Sequence, residues 1–382
     1  MRLAVYTDYA YRRQGGTVYA ERAFAKFLVA LAGRLDEMVL VGRLNPEPGR
    51  SHYPLPPEIR FVPLPYYRAA SRPLSVAVPA LRSLRRFWRA LDGVEGVWLL
   101  GPGPLQLAFA ALALVRRRRV TLGVRQDTMA YIRSRHPGRR LLHLAALLVE
   151  GGYRALARRV PVIVVGPDLA RRYRGAGRRV LSIYVSLVSA ADIVSPDTSA
   201  ERRYDGELRI VSVGRLETEK NPLLLADILA RLCAGDERWR LVVCGEGPLA
   251  PALSLRLSEL GVAERARLEG YVPIDGGLAD LYRRSHVLLH VSWTEGVPQV
   301  LFEAFAAGLP VVATAVGGVP VAAGDSAELI PPGDAEAAAE ALARLAGDAD
   351  LRRSLTASGA ARVRRHTIEA ETERVAEFLR SQ

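Results

Sequence analysis

Two groups of residues combine types and spacings that could do chemistry. The first is VSVGRLETEKNP, from Val211 to Pro222. It reads as a buried strand ending in Gly214, which permits a sharp exit at the carboxyl edge of a sheet, where open α/β folds bind ligands. Asn221 is placed to cap a helix whose first turn holds Pro222, so Arg215 and Lys220 stand near a positive helix end. Two cations beside a helix N-terminus suit a diphosphate. The bland alternative is a solvated loop whose cations pair with Glu217 and Glu219.

The second group runs from Ser292 to Thr314 and continues to Pro320. A strand ends near Val291, Pro298 fits the first turn of a new helix, and Gly308 with Pro310 stops it. Glu295 therefore lies in a loop at the sheet edge, while Glu303 sits more than one turn inside the helix. Gln299, Val300, Ala306 and Ala307 share its face, and an unpaired carboxylate there needs a partner such as ribose hydroxyls. Gly296 and the amides of Val297, Gln299 and Val300 open the helix and suit phosphate oxygens. The alternative is an internal ion pair for Glu303 and a solvated loop for Glu295.

Together these segments resemble the retaining GT-B enzymes of glycosyltransferase family 4. The matching residues are Gly214-Arg215 with Lys220, the acids Glu295 and Glu303, and the run Ala306 to Val312. Gly245 to Pro248, Gly270 to Pro273 and Gly15-Gly16 ahead of a helix also match. The paired acids with their flanks are the most specific element; Gly-Glu-Gly-Pro alone is weak. The resemblance implies that Arg215 and Lys220 hold a donor diphosphate, Glu303 the ribose, and Glu295 with the Val297, Gln299 and Val300 amides the sugar and phosphates. It implies that Val272 touches the base through its main chain and that Gly16 lets an N-terminal loop approach the phosphates. The implied reaction is front-face sugar transfer with retention, from a nucleotide-diphosphate sugar to a hydroxyl acceptor, without metal or cofactor.

One departure stands out. Many such enzymes place a histidine after a first-domain strand, where this chain has Val124-Arg-Gln-Asp-Thr128. Gln126 and Asp127 can hydrogen-bond sugar hydroxyls instead; the alternative is a helix cap at Asp127 or Thr128. His136, His143, His286, His290 and His366 share no spacing and read as structural or solvent-facing. Asp348 and Asp350 read as a capping element rather than a metal site.

The elements that must position these residues follow from patterning. Short apolar runs alternate with longer amphipathic segments, the pattern of parallel sheets covered by helices. This predicts an α/β chain of two domains with parallel sheets, and the resemblance implies that they are Rossmann-like and face a central cleft, a GT-B fold. The predicted domains cover 1–190 and 200–365, which the resemblance implies bind the acceptor and the nucleotide sugar respectively. A terminal helix over 366–382 is placed to return to the first, and Ser182 to Asp205 reads as the linker. Residues 45–73 break the rhythm and read as a surface excursion.

The longest apolar run, Pro104 to Val115, is shorter than the roughly 18 residues of a membrane span and reads as a buried helix. The N-terminus shows no signal-peptide pattern, so the expectation is a cytoplasmic protein. Cys233 and Cys244 lack metal-ligand spacing and read as buried apolar residues. A formal charge of +13 suits anionic partners, with nucleic acid, an anionic membrane surface and phosphorylated substrates all compatible, and charge alone does not choose among them; the resemblance implies a nucleotide sugar and no nucleic acid. Arg82, Arg85, Arg86 and Arg89 recur at helical spacing, which fits either a helix lying on an anionic membrane or an ordinary surface helix. A nucleotide-sugar epimerase on the same fold, a phosphorylase and a non-enzymatic nucleotide-sugar sensor are the rival functions. The only lysines, Lys26 and Lys220, leave little room for a pyridoxal-dependent phosphorylase.

Overall fold

The computed structural model describes residues 1–49, 52–67, 73–135, 138–175 and 179–382. His136 and part of the 45–73 excursion lie outside them. The chain divides into two compact units, Met1–Val185 with Glu369–Gln382, and Ser186–Ile368.

The first unit contains, in chain order, β1 (Arg2–Gln14), β2 (Thr17–Ala20), α1 (Phe24–Ala32), β3 (Glu37–Leu44), β4 (Tyr53–Pro54), β5 (Arg60–Leu64), α2 (Pro73–Ala90), β6 (Gly96–Gly101), α3 (Pro104–Val115), β7 (Arg119–Val124), α4 (Thr128–Arg135), α5 (Arg140–Ala157), β8 (Val162–Val165), α6 (Pro167–Arg174) and β9 (Val180–Ile183). The central order β5-β3-β1-β6-β7-β8-β9 is parallel throughout. Strands such as β6 and β8 are apolar along their whole length because helices cover both faces. Phe87 stacks on Phe109 at 4.0 Å between centroids, and Tyr6 meets the Phe109 edge at 4.9 Å, within the core under α2 and α3.

Three features differ from the patterning. The first strand continues past the apolar run Leu3 to Tyr6 as far as Gln14 and turns back antiparallel into β2, with Gln14 opposite Thr17. Gly15 and Gly16 form that two-residue turn at φ 52° and 86°, the positive values that a tight hairpin needs. Gly16 therefore belongs to a hairpin tip, and the helix begins only at Phe24. Secondly, Val180–Ile183 pairs with β8 as an edge strand, so Ser182 and Ile183, read as the start of the linker, belong to the sheet. Thirdly, the stretch read as a linker is ordered. Ser189 caps a short turn, α7 (Pro196–Ala200) follows, and Arg202 donates to the carbonyl oxygens of Gly308 and Ala307.

The second unit continues with β10 (Leu208–Val213), α8 (Leu224–Gly235), β11 (Trp239–Cys244), α9 (Ala250–Glu259), β12 (Ala266–Gly270), α10 (Ala279–Arg284), β13 (Val287–His290), α11 (Gln299–Ala306), β14 (Val311–Thr314), α12 (Val319–Ala323), β15 (Glu328–Ile330), α13 (Ala335–Gly347) and α14 (Ala349–Arg364). Its parallel sheet has the order β12-β11-β10-β13-β14-β15. The order reverses between β10 and β13, so their carboxyl ends flank the crevice where such sheets take ligands. Asp348 caps α14 through the Leu351 amide, as its sequence position suggests. Finally, α15 (Ile368–Arg380) packs in the first unit: Glu373 pairs with Arg34 at 2.9 Å, and Arg374 donates to the Ser182 carbonyl.

Candidate active site

At the carboxyl edge of β10, the chain leaves through Gly214 and Arg215 and makes a single turn over Thr218–Lys220. Asn221 ends that turn in the left-handed region at φ 49°, and α8 starts only at Leu224. Asn221 is thus not the helix cap that the sequence suggests. The turn is fastened across the sheet edge instead, the Trp293 amide donating to the Glu219 carbonyl at 2.9 Å. Gly214 has ordinary φ, and a Cβ on it would meet nothing within 4 Å, so open space rather than backbone strain distinguishes it.

Beside this turn, the loop after β13 carries Glu295. Its Oε1 accepts from Lys220 Nζ at 2.5 Å, Ser292 Oγ at 2.6 Å and His290 Nε2 at 2.8 Å. Only 7% of the carboxylate side chain is exposed. Burial works against its ionisation, but the His290 hydrogen bond and the Lys220 charge outweigh it and hold the carboxyl down at about 2. The solvated loop acid of one sequence reading is therefore excluded. Gly214, Arg215, Lys220, His290 and Ser292 line one pocket.

The Glu295 loop rests on Gly317 and Gly318, whose Cβ positions are occupied by the carbonyl oxygens of Glu295 and Gly296. Thr314 Oγ1 donates to the Ser292 carbonyl at 2.8 Å, tying the loop to β14. Pro298 forms the N-cap position of α11 rather than its first turn, and no side chain caps that end. Gln299 and Val300 thus open the helix with Gly296 and Val297 just before it, which leaves backbone donors at a positive helix terminus.

Glu303 is half-buried on α11 and accepts from the Tyr282 hydroxyl of α10 at 2.7 Å. Burial first, and then the Glu303 charge, push the Tyr282 phenol well above its ordinary range. Tyr282 therefore stays a donor to the carboxylate. Val272 lies just beyond β12, where the Glu246 carboxylate accepts from the Tyr271 amide at 3.4 Å. Arg215 pairs with Glu217 at 2.6 Å and Glu219 at 2.9 Å, the pairing foreseen as the bland alternative; Lys220 reaches across to Glu295 instead.

Gly16, Gln126 and Asp127 belong to the first unit. Asp127 Oδ1 accepts from the Met129 amide at 3.0 Å in a capping geometry, and Oδ2 pairs with Arg172 at 2.6 Å. Gln126 is exposed. The preceding residue, Arg125, is fixed against Asp8 and over the Tyr9 ring.

Patterning left two partners of the acids unnamed and placed one cysteine too deep. His290, read as structural or solvent-facing, is buried and holds Glu295, a contact that the sequence reading did not name. Tyr282 lies 21 residues from Glu303, and nothing local announces the pair. Cys244 is buried, its thiol pushed up to about 12 by burial and the Glu269 charge, whereas Cys233 is only half-buried. His286 is structural as read, its Nδ1 accepting from the Arg209 amide at 2.8 Å.

The fold matches GT-B glycosyltransferase structures. The chain is similar to sucrose-phosphate synthase from Thermosynechococcus elongatus, with TM-score 0.75 and 19% identity over 100% of this chain and 98% of that one. It is also similar to Anabaena Alr3699/HepE in complex with UDP and glucose, with TM-score 0.73 and 17% identity over 100% and 99%. Among curated proteins, the phosphatidylinositol N-acetylglucosaminyltransferase gpi3 subunit of Schizosaccharomyces pombe is 36% identical over 143 residues, 37% of this chain and 30% of that protein. The chain thus spans about a third of that relative's length. The match that coincides with the site is the family model for glycosyl transferases group 1, and residues 196–362 of the second unit form a domain of that kind.

Proposed function

We propose that this chain is a retaining glycosyltransferase that moves a sugar from a nucleotide-diphosphate sugar to a hydroxyl acceptor. One observation carries the reading. Lys220 and Glu295, from two motifs 75 residues apart, meet at 2.5 Å where the strand order reverses, inside the matched domain. Arg215 and Lys220 neutralise the charge that develops on the departing diphosphate, assisted by the amides at the start of α11. Glu303, oriented by Tyr282, accepts from the ribose hydroxyls, and Val272 presents main-chain groups to the base. Glu295, fixed by His290 and Ser292, contacts the transferred sugar.

In this reading the bond from the anomeric carbon to the diphosphate oxygen breaks as the acceptor oxygen bonds on the same face. The acceptor proton passes to the leaving oxygen. No carboxylate nucleophile is needed, and the charge stabilisation falls to the two cations. A bound lysine charge is worth most where water is excluded, so Lys220→Met should lower kcat by about 100-fold or more. Calorimetric titration with UDP, GDP and ADP identifies the nucleotide, and a radiolabelled transfer assay then compares the variant. Wild-type turnover and nucleotide affinity in Lys220→Met would sink the assignment.

A further inference from the structure

Five ionised side chains crowd the turn after β10. Arg215 Nη1 faces Glu217 at 2.6 Å and Nη2 faces Glu219 at 2.9 Å, while Lys220 reaches Glu295 at 2.5 Å. Two positive charges thus meet three negative ones, since Glu295 is held ionised by His290 and Lys220. A diphosphate drawn to Arg215 and Lys220 arrives beside carboxylates of its own sign. Between 7% and 21% of each acid's side chain is exposed, so water screens that repulsion only in part.

The three acids are not equivalent. Glu295 also accepts from Ser292 and His290, so it stays fixed when Lys220 turns to a phosphate. Glu217 and Glu219 lie within the Arg215 turn, whose main chain is fastened without their carboxylates. The Lys220 amide donates to the Glu217 carbonyl and the Trp293 amide to the Glu219 carbonyl, both at 2.9 Å. One carboxylate is enough to orient a guanidinium, and the second overcompensates its charge. A site that only had to grip a diphosphate gains nothing from that excess.

Charge separates the donor from the product. In a nucleotide-diphosphate sugar each phosphate carries one negative charge. Once the sugar has left, the terminal phosphate gives up a second proton to water with a pKa of about 6, so the product carries about one charge more near neutral pH. Carboxylates beside that phosphate therefore repel the product more strongly than the donor.

We infer that Glu217 and Glu219 are positioning residues for product release. They hold Arg215 at the edge of β10 and weaken its grip on the nucleoside diphosphate after the sugar has been transferred. The inference rests on the transferase reading and adds to it two residues that the reading leaves without a role.

Calorimetric titration of the full chain tests it, with UDP and UDP-glucose, GDP and GDP-mannose, and ADP and ADP-glucose as the ligand pairs. For the base that binds, Glu217→Gln with Glu219→Gln should tighten the nucleoside diphosphate about twentyfold and its nucleotide sugar only about sevenfold. The gain should shrink as salt rises. Glu219→Gln alone should tighten the diphosphate about fivefold, and it decides the matter if the double variant melts below wild type. Acids that merely oriented Arg215 would give the opposite sign, with weaker binding of both ligands in both variants. If wild type binds a diphosphate and the variants bind it equally or more weakly, this inference alone is overturned. Equal gains for diphosphate and nucleotide sugar also overturn it, because the acids then do not tell product from donor. If neither wild type nor the variants bind any of the three diphosphates, the transferase reading fails and the inference falls with it.

Discussion

At the level of single residues, Glu295 is the hinge of the site. One oxygen accepts from a lysine, a histidine and a serine, so a buried carboxylate that would be costly alone is held ionised. Its folded value of about 2 lies below its ordinary 4.5. A depressed acid contributes stability that is complete above its unfolded value and is lost as pH falls toward the folded one. Wild type should therefore lose about 2 kcal/mol more stability than Glu295→Gln between about pH 6 and about pH 3. Urea unfolding at the two pH values gives both slopes, and parallel slopes would show that Glu295 is not held ionised. Glu303 illustrates the limit of local reading: an acid on an apolar helix face announced the need for a donor, but not that Tyr282 supplies one.

At the level of elements, the site is made by what lies between strands and helices. The turns after β10 and β13 meet because their strands are neighbours, Ile210 opposite Val287. The Glu295 loop then lies directly on the start of α12, where Gly317 has φ 51° and no room for a side chain. Gly317→Ala should cost about 1–3 kcal/mol through left-handed strain and overlap with the Glu295 carbonyl, and should weaken nucleotide binding because that loop shifts. A thermal melt with a nucleotide titration checks both, and an unchanged melt together with unchanged affinity would remove Gly317 from the support of the site. The carboxyl end of β1 went unread for a related reason. Past Tyr6 its sequence is tyrosine- and arginine-rich rather than apolar, and pairing with β2 and β3 makes it a strand.

At the level of the whole molecule, the chain closes its first unit with its last helix. Val375, Ala376 and Leu379 of α15 are almost completely buried, and Glu371 is buried with them, paired to Arg374 at 2.8 Å. Each large apolar side chain contributes roughly 1.5–3 kcal/mol, against a total stability of about 5–15 kcal/mol for a typical domain. Truncation after Ile368 should therefore unfold or strongly destabilise the first unit while residues 186–368 stay protected. Limited proteolysis with mass-spectrometric mapping distinguishes this from an unaffected first unit.

What the sequence determined by itself was whatever depends on neighbours along the chain. The α/β class, most strand positions, the glycine exit of β10, the loop place of Glu295 and the helical place of Glu303 all follow from short-range pattern and turn chemistry. The two motifs of the candidate site were legible because their chemistry is packed into 12 and 23 residues, Val211 to Pro222 and Ser292 to Thr314. Only the tertiary structure decided which charges meet. It brought Lys220 to Glu295 rather than to its nearer acids, turned His290 inward, supplied Tyr282 to Glu303 and moved Asn221 from helix cap to turn. Each of these is a contact whose energy depends on burial and on groups distant in sequence, and neither periodicity nor residue spacing contains that information.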